Sequence, residues 1–264
     1  MKSIKTNVRT GLFGLLTVAG SLALGGCFSS GPQVPQVPPV KAIAVSSSGV
    51  STPQTGAVLL IVVLDETASF HSYWAMSVNK AVQSIASLRP GDAVMILGLD
   101  HHAFDQDDVL VEQTTLPMGS MRAAQAKATL LARVRKLEPR STSSGAMING
   151  VLRGEPEGTD TLGIIDMASY LAAKSPGFAV NLAVCSDFED EKVPKTGASN
   201  EPSPFPNDTH FVALYVGTHG HTDLTSRINR WIKKLKPMNL NCAPNDFHIA
   251  SESWKTSVVA RPAQ

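Results

Sequence analysis

The amino-acid sequence predicts an α/β domain, with a doubly wound, mostly parallel sheet, one antiparallel edge strand and helices on both faces. Apolar runs rich in valine, isoleucine and leucine, typical of strands buried on both faces, alternate with segments whose apolar residues recur at helical spacing. A hydrophobic content of 43% in a chain of 264 residues is sufficient for a sizeable core.

The order of the predicted elements supports this fold class. A strand at residues 58–64 is followed by a helix that ends at the turn Arg89-Pro90-Gly91-Asp92. A second strand covers 93–99, and a third at 109–114 is expected to return antiparallel to it. The remaining predicted elements are helices around 130–137, 164–171 and 224–235, strands at 179–186 and 210–216, and an edge strand at 247–250.

The first 26 residues have the features of a secretory signal peptide. Three basic residues precede an apolar stretch at 11–24, which ends in Leu24-Gly25-Gly26-Cys27. Because a cysteine directly follows small residues, the segment resembles the lipobox of bacterial lipoproteins, which implies cleavage before Cys27 and lipidation of its sulfur. By the same resemblance, Phe28 favours sorting to the outer membrane. An ordinary signal peptide with an incidental cysteine is the alternative.

Residues 27–56 are rich in proline and serine, and we interpret them as a linker between the lipidated cysteine and a folded domain at 57–264. Two long segments, 139–158 and 188–208, interrupt the alternation of strands and helices, and we expect them to be functional or disordered. Cys185 and Cys242 allow a disulfide in an oxidising compartment, but a buried thiol at Cys185 is the favoured interpretation.

The charge balance excludes one class of partner. The chain has 23 basic and 22 acidic residues and a formal net charge of +1, which gives no reason to expect nucleic acid binding. Five basic residues at 227–236 are interpreted as a solvated helix face, with cations near the helix C-terminus. The cluster that begins with Asp100-His101-His102 is interpreted as a solvated polar turn, and a transition-metal site is the alternative.

Polar side chains are concentrated where the apolar strands end. Asp65-Glu66-Thr67-Ala68-Ser69 follows the first strand, Ser186-Asp187 follows the fourth, and Gly158-Thr159-Asp160-Thr161 precedes the third helix. Because ligands bind at the carboxyl ends of parallel strands, these segments are expected to meet there. Carboxylates and hydroxyls are hard oxygen ligands, which favour Mg²⁺, or else Mn²⁺ or Ca²⁺. The predicted metal ligands are Asp65, Thr67, Ser69, Thr159 and Asp187.

These residues, in this order, resemble the von Willebrand factor type A domain and its metal-ion-dependent adhesion site. That family has an Asp-x-Ser-x-Ser motif after its first strand, a threonine before a later helix and an aspartate after its fourth strand. Asp65, Ser69, Thr159 and Asp187 match this pattern, and Thr67 replaces the middle serine. The resemblance covers most of residues 57–250 and implies a metal with one open coordination position. It also implies a protein partner that offers a carboxylate to that metal.

Two features depart from the family pattern. Phe188 stands where the family often has glycine, and Thr161 is an alternative to Thr159 as the ligand.

The sequence also leaves other interpretations of this segment open. Asp65 and Thr67 could cap the first helix, or the chain could be a structural envelope protein that does not use the metal. The segment after the first strand also resembles the aspartyl-phosphate loop of haloacid dehalogenase-like phosphohydrolases, although Thr67 replaces the acid–base aspartate.

Overall fold

A computed structural model describes residues 56–99, 110–139, 160–188, 204–217 and 223–261 of the chain. Within these ranges the strands are β1 (Val58–Asp65), β2 (Ala93–Leu99), β3 (Leu110–Thr115), β4 (Ala179–Cys185), β5 (His210–Leu214) and β6 (Phe247–His248). The helices are α1 (Trp74–Ala86), α2 (Ser120–Val134), α3 (Thr161–Ala173), α4 (Leu224–Leu235) and the short α5 (Ala250–Ser253). Among the helices described, none has the length and apolar character needed to cross a membrane.

The strands form one sheet in the order β3-β2-β1-β4-β5-β6. Only the β2–β3 pairing is antiparallel, and the other pairings are parallel. β1 lies in the centre, with Asp65 opposite Leu99 of β2 and Leu64 opposite Cys185 of β4. The carboxyl ends of β1 and β4 therefore lie side by side, and the residues that follow them share one edge of the sheet.

Both faces of the sheet are covered, because successive side chains of a strand point to opposite faces. Leu59, Ile61 and Val63 contribute to the core under α3 and α4. Leu60, Val62 and Leu64 contribute to the core under α1 and α2. Every residue of β1 and β2 is buried, which explains why the sequence of these strands is apolar without alternation.

The structure confirms the predicted fold class and most of the element positions. The antiparallel partner of β2 and the parallel edge strand β6 are both present, although β6 is two residues long and Ala250 already begins a helix. α2 begins at Ser120, ten residues before the predicted helix. Its first turns face solvent, so the apolar spacing on which the prediction relied is weak there.

The two cysteines within the described ranges are both free. Cys185 is fully buried in β4 and belongs to the core under α1 and α2. Cys242 packs against the core on the opposite face of the sheet. The favoured interpretation of Cys185 as a buried thiol therefore agrees with the structure, and the alternative disulfide does not.

Candidate functional site

Asp65 is the last residue of the central strand, and its carboxylate lies at the carboxyl edge of the sheet. The residue is only 1% exposed. Its Oδ1 accepts hydrogen bonds from the Thr67 backbone N–H at 3.0 Å and from the Thr67 hydroxyl at 2.6 Å. Its Oδ2 accepts one from the Ser186 hydroxyl at 2.7 Å, across the boundary between β1 and β4. These bonds hold the carboxylate in one orientation at the sheet edge.

The helix-cap interpretation of this segment does not agree with the structure. Thr67 occupies the N-cap position of a short 3₁₀ helix (Ala68–Tyr73), but its side chain makes no capping hydrogen bond there. The hydroxyl is directed to Asp65 instead. The polar atoms of Thr67 are therefore part of the arrangement around the buried carboxylate.

Burial changes the protonation of Asp65. Desolvation raises the pKa of this carboxyl from 3.8 to about 7, and the negative charge of Asp187 acts in the same direction, while the hydrogen bonds from Thr67 and Ser186 oppose both effects. The charge of Asp187 therefore contributes to the raised pKa of Asp65, although burial contributes more. A divalent cation between the two groups would remove the repulsion between their charges.

Asp187 is the second residue after β4 and is also 1% exposed. Its backbone carbonyl accepts hydrogen bonds from the Gly217 N–H at 3.1 Å and from the Arg227 guanidinium at 3.4 Å. Asp187 is therefore a buried residue whose backbone carbonyl is held by two hydrogen bonds, and it differs in this from an exposed loop aspartate. Both aspartates of the predicted site therefore lie in the interior, at the ends of neighbouring parallel strands.

Phe188 has a backbone φ of 55°, in the left-handed region that favours glycine. Its ring is fully buried and packs edge-on against Trp231 at 5.1 Å and Phe247 at 5.7 Å between ring centroids. The Trp231 indole N–H also donates to the Phe188 carbonyl at 3.0 Å. Phe188 thus adopts a backbone conformation that favours glycine, and packing of its aromatic ring stabilises the residue there.

The start of α3 brings a hydroxyl to the same edge of the sheet. Because α3 leads through a short connection into β4, which is parallel to β1, we place its first residues at the carboxyl end of the strands. Thr161 is the first residue of α3 and is 2% exposed. Within the described residues its Oγ1 is buried and has no hydrogen-bond partner. Such an orphaned oxygen costs free energy unless a ligand satisfies it.

The remaining predicted ligands are not described by the structure. Thr159 lies outside the described residues, and so do the cluster that begins at Asp100 and the lipidation site Cys27. Ser69 lies within the 3₁₀ helix after β1, but the position of its side chain is not described. Their roles at the site stay predictions.

The donor chemistry of the described residues suits a hard cation. Asp65, Asp187 and Thr161 offer two carboxylates and one unsatisfied hydroxyl, all buried. No group of three or more histidine, cysteine, aspartate or glutamate side chains that could hold a metal occurs in the ranges described. A site for zinc or copper built from nitrogen and sulfur ligands is therefore not present in these ranges, whereas a mixed carboxylate and hydroxyl site remains compatible with them.

Three further residues at this edge were not singled out by sequence reasoning. Ser186 links β4 to Asp65, and its oxygen also accepts the Phe188 N–H at 3.1 Å. Asp160 caps α3 by accepting the Gly163 N–H at 2.9 Å. Glu66 is 3% exposed directly after Asp65. The cap could have been found from the aspartate before an apolar helix, but the role of Ser186 depends on the neighbouring strands.

No protein-family model matches the chain, and no curated protein matches it. Among solved structures, proximal thread matrix protein 1 from the mussel byssus is 11% identical, with a TM-score of 0.39 over 76% of this chain and 45% of that one. A second structure of that protein, described with a zinc-occupied MIDAS motif, is 13% identical, with a TM-score of 0.37 over 78% and 47%.

The pilus adhesin SpaC from Lactobacillus rhamnosus GG is 11% identical, with a TM-score of 0.38 over 78% of this chain and 30% of that one. The chain spans less than half the length of each of these proteins. Structural similarity at TM-scores below 0.5 does not support a conclusion about function. The fold class is therefore assigned from the strand order of the chain itself. Together, the fold and the edge residues define an α/β domain with a buried acidic site at the carboxyl ends of its central strands.

Proposed function

We propose that this chain is a divalent-metal-dependent protein-binding module with an adhesion or scaffold role in the bacterial envelope, similar to von Willebrand factor type A domains. One observation carries the proposal. Two buried aspartates end neighbouring parallel strands, and burial together with their mutual repulsion raises the pKa of Asp65 to about 7. Buried carboxylates are paired or bind metals in most proteins, and a cation is the simplest group that stabilises this pair.

The proposed ligands are Asp65, Thr67, Ser69 and Asp187, together with Thr159 or Thr161. The unsatisfied hydroxyl of Thr161 favours this residue over Thr159. Mg²⁺ is the preferred ion, with Mn²⁺ and Ca²⁺ as alternatives, because all donors are oxygens. When bound, the ion supplies positive charge and an open coordination position for a carboxylate of the partner protein.

We propose no catalytic step at this site. Thr67 stands where phosphohydrolases of the haloacid dehalogenase type carry their acid–base aspartate. This difference argues against the phosphohydrolase alternative.

Isothermal titration calorimetry with Mg²⁺, Mn²⁺ and Ca²⁺ tests the metal site. We expect the wild-type protein to bind at least one of these ions, and Asp65→Asn and Asp187→Asn to weaken binding by about tenfold or more, because each removes a charged ligand. Asp208→Asn is the matched control, since Asp208 is exposed and precedes β5 at the amino edge of the sheet. Absence of binding in the wild type, or equal binding in all variants, would refute the proposal.

We further propose that Cys27 carries the lipid anchor and that the protein resides in the outer membrane. The support is the sequence at 24–27 and the basic and apolar residues before it. A bacterium that expresses the full chain should incorporate labelled palmitate into the wild type but not into Cys27→Ser. The variant should also leave the outer-membrane fraction. Equal labelling of both proteins would contradict the anchor.

A further inference from the structure

The cations of the chain are concentrated on one helix. Residues 224–245 contain five lysines and arginines and no aspartate or glutamate, whereas the whole chain has 23 basic and 22 acidic residues. This segment comprises α4 and the residues that follow it. The segment that contains α4 is therefore strongly positive, although the net charge of the whole chain is close to zero.

Four of these cations form a single row, which we call the basic row: Arg227, Arg230, Lys233 and Lys236. Residues three positions apart on a helix are neighbours, with Cβ atoms about 5–6 Å apart. Arg230, Lys233 and Lys236 are exposed, while Trp231 and Leu235 on the other side of α4 are buried in the core. Arg227 is half-buried, and the row turns by about 60° around the helix axis at each step, because three residues at 3.6 per turn fall short of a full turn. The three exposed cations therefore occupy the solvent side of α4 and its C-terminal end.

The basic row begins at the candidate metal site. The Arg227 guanidinium donates to the backbone carbonyl of Asp187 at 3.4 Å, so the first turn of α4 contacts the residue that is expected to bind the metal. From Arg227 the row runs away from the carboxyl edge for about 14 Å, at 1.5 Å per residue. Positive charge thus extends from the site in one direction.

The helix dipole explains only part of this arrangement. Lys233 lies in the last turn of α4, where the negative end of the dipole stabilises a cation. Arg227 lies near the positive end, where a cation is unfavourable, and the acidic residue at this end is the N-cap Asp223, whose carboxylate accepts the Ser226 N–H and interacts with Arg230. The dipole therefore explains the cations at the C-terminal end of the row but not Arg227.

We infer that the partner presents an acidic protein segment that lies along α4, with one carboxylate at the metal and further carboxylates on the basic row. This inference rests on the proposed function, because the metal site provides the first contact. The narrow row matches a chain of discrete carboxylates, and complementary charge would increase both the association rate and the specificity.

A fluorescein-labelled octa-glutamate peptide is a suitable probe, and fluorescence anisotropy with the full chain in Mg²⁺ buffer is the measurement. The variant Arg230→Glu/Lys233→Glu/Lys236→Glu reverses the exposed part of the basic row. The control variant Arg122→Glu/Arg135→Glu/Lys136→Glu changes the net charge equally, at exposed positions on and after α2 on the other face of the sheet. We expect the α4 variant to lose affinity by roughly tenfold or more and the α2 control to change by roughly twofold at most.

Equal effects of the two variants would overturn the inference, because they would show that only net charge matters. Preferential binding of the protein to phosphatidylglycerol vesicles instead of the peptide would also overturn it, in favour of an anionic lipid surface. A Mg²⁺ titration of the same variants distinguishes a failure of the proposed metal site from a failure of the proposed acidic partner. If no metal binds but the α4 variant still loses the peptide selectively, the proposed metal site fails and the acidic partner is supported.

Discussion

Asp65 combines three properties that a solvent-exposed aspartate does not have. It is buried at the end of the central strand, both of its carboxylate oxygens accept hydrogen bonds, and a second buried aspartate lies close enough to repel it. In the absence of a cation, Asp65 therefore takes up a proton at a higher pH than an exposed aspartate does. Metal binding and proton binding then compete for the same group.

This competition gives the metal-free protein a defined pH dependence. Because folding raises the pKa of Asp65 from 3.8 to about 7, its stabilising effect is complete below pH 4 and is lost as the pH rises through 7. The loss corresponds to about 4 kcal/mol at most, at 1.36 kcal/mol per pKa unit. Urea unfolding in chelator should show Asp65→Asn to be more stable than the wild type at pH 8, with a smaller difference at pH 4.

Saturating Mg²⁺ should restore most of the wild-type stability at pH 8 and have little effect on Asp65→Asn. A metal-free wild type whose stability rises between pH 4 and pH 8 relative to Asp65→Asn would contradict the proposed state of this carboxyl.

Phe188 shows how packing can replace the conformational freedom of glycine. Its backbone lies in the left-handed region, yet its buried ring contacts Trp231 and Phe247. Phe188→Ala should reduce the free energy of unfolding by about 3–5 kcal/mol, because it removes a buried ring and keeps the strained backbone. Phe188→Gly should cost about 1 kcal/mol less, because glycine relieves that strain.

Urea unfolding of the two variants measures this difference directly. At an ordinary buried position alanine is the less harmful substitution, so a greater loss for Phe188→Gly would show that the backbone at this position is not strained.

Individual site residues could be predicted only in part. Aspartates after apolar runs identify Asp65 and Asp187, since parallel strands present their carboxyl ends at one edge. The hydrogen bond from Ser186 to Asp65 spans 121 residues of sequence and depends on β1 and β4 being neighbours. One sequence does not show that β1 and β4 are neighbours, so the role of Ser186 could not be predicted.

The turn before β2 shows how local sequence and long-range contacts combine within one element. Asp92 is buried, and its carboxylate accepts the Val58 N–H at 2.9 Å and the Arg89 N–H at 2.6 Å. Arg261, near the end of the chain, forms an ion pair with the same carboxylate at 2.6 Å. The turn itself could be predicted from Arg89-Pro90-Gly91-Asp92, but the contact with Arg261 could not.

Asp92→Ala should therefore lower the free energy of unfolding by about 3 kcal/mol or more, because it leaves a largely buried guanidinium and two N–H groups without their acceptor. Glu112→Ala is the control, since Glu112 pairs with the exposed Arg133 and such pairs contribute about 1 kcal/mol or less. Urea unfolding at neutral pH measures both. Equal losses in the two variants would show that the turn is not held by Asp92.

Elements with a strong apolar pattern were predicted closely, and those with a weak pattern were not. β2 and α4 match their predicted bounds, because every residue of β2 is buried and α4 has a clear apolar stripe. α2 is mostly exposed in its first turns, so only its apolar second half was found. β6 is too short to give a periodic pattern of its own.

For the whole molecule, alternation of strands and helices was sufficient to predict a mostly parallel sheet. The order β3-β2-β1-β4-β5-β6 depends on which strands pair, and this is decided by packing over the whole chain. That order determines the function proposed here, because it places β1 between β2 and β4 and brings Asp65 beside Asp187. The basic row on α4 extends from the same edge.

Crystals of the protein soaked in MnCl₂ provide the most direct test of the metal site, through the anomalous difference map at the manganese edge. We expect one strong peak at the carboxyl edge of the sheet, from an ion that Asp65 and Asp187 bind directly or through water, with a threonine or serine hydroxyl among the ligands. The same soak of Asp65→Asn should weaken or remove that peak. A wild-type map with no peak at this edge, and with Asp65 still bonded only to Thr67 and Ser186, would contradict the proposed metal site.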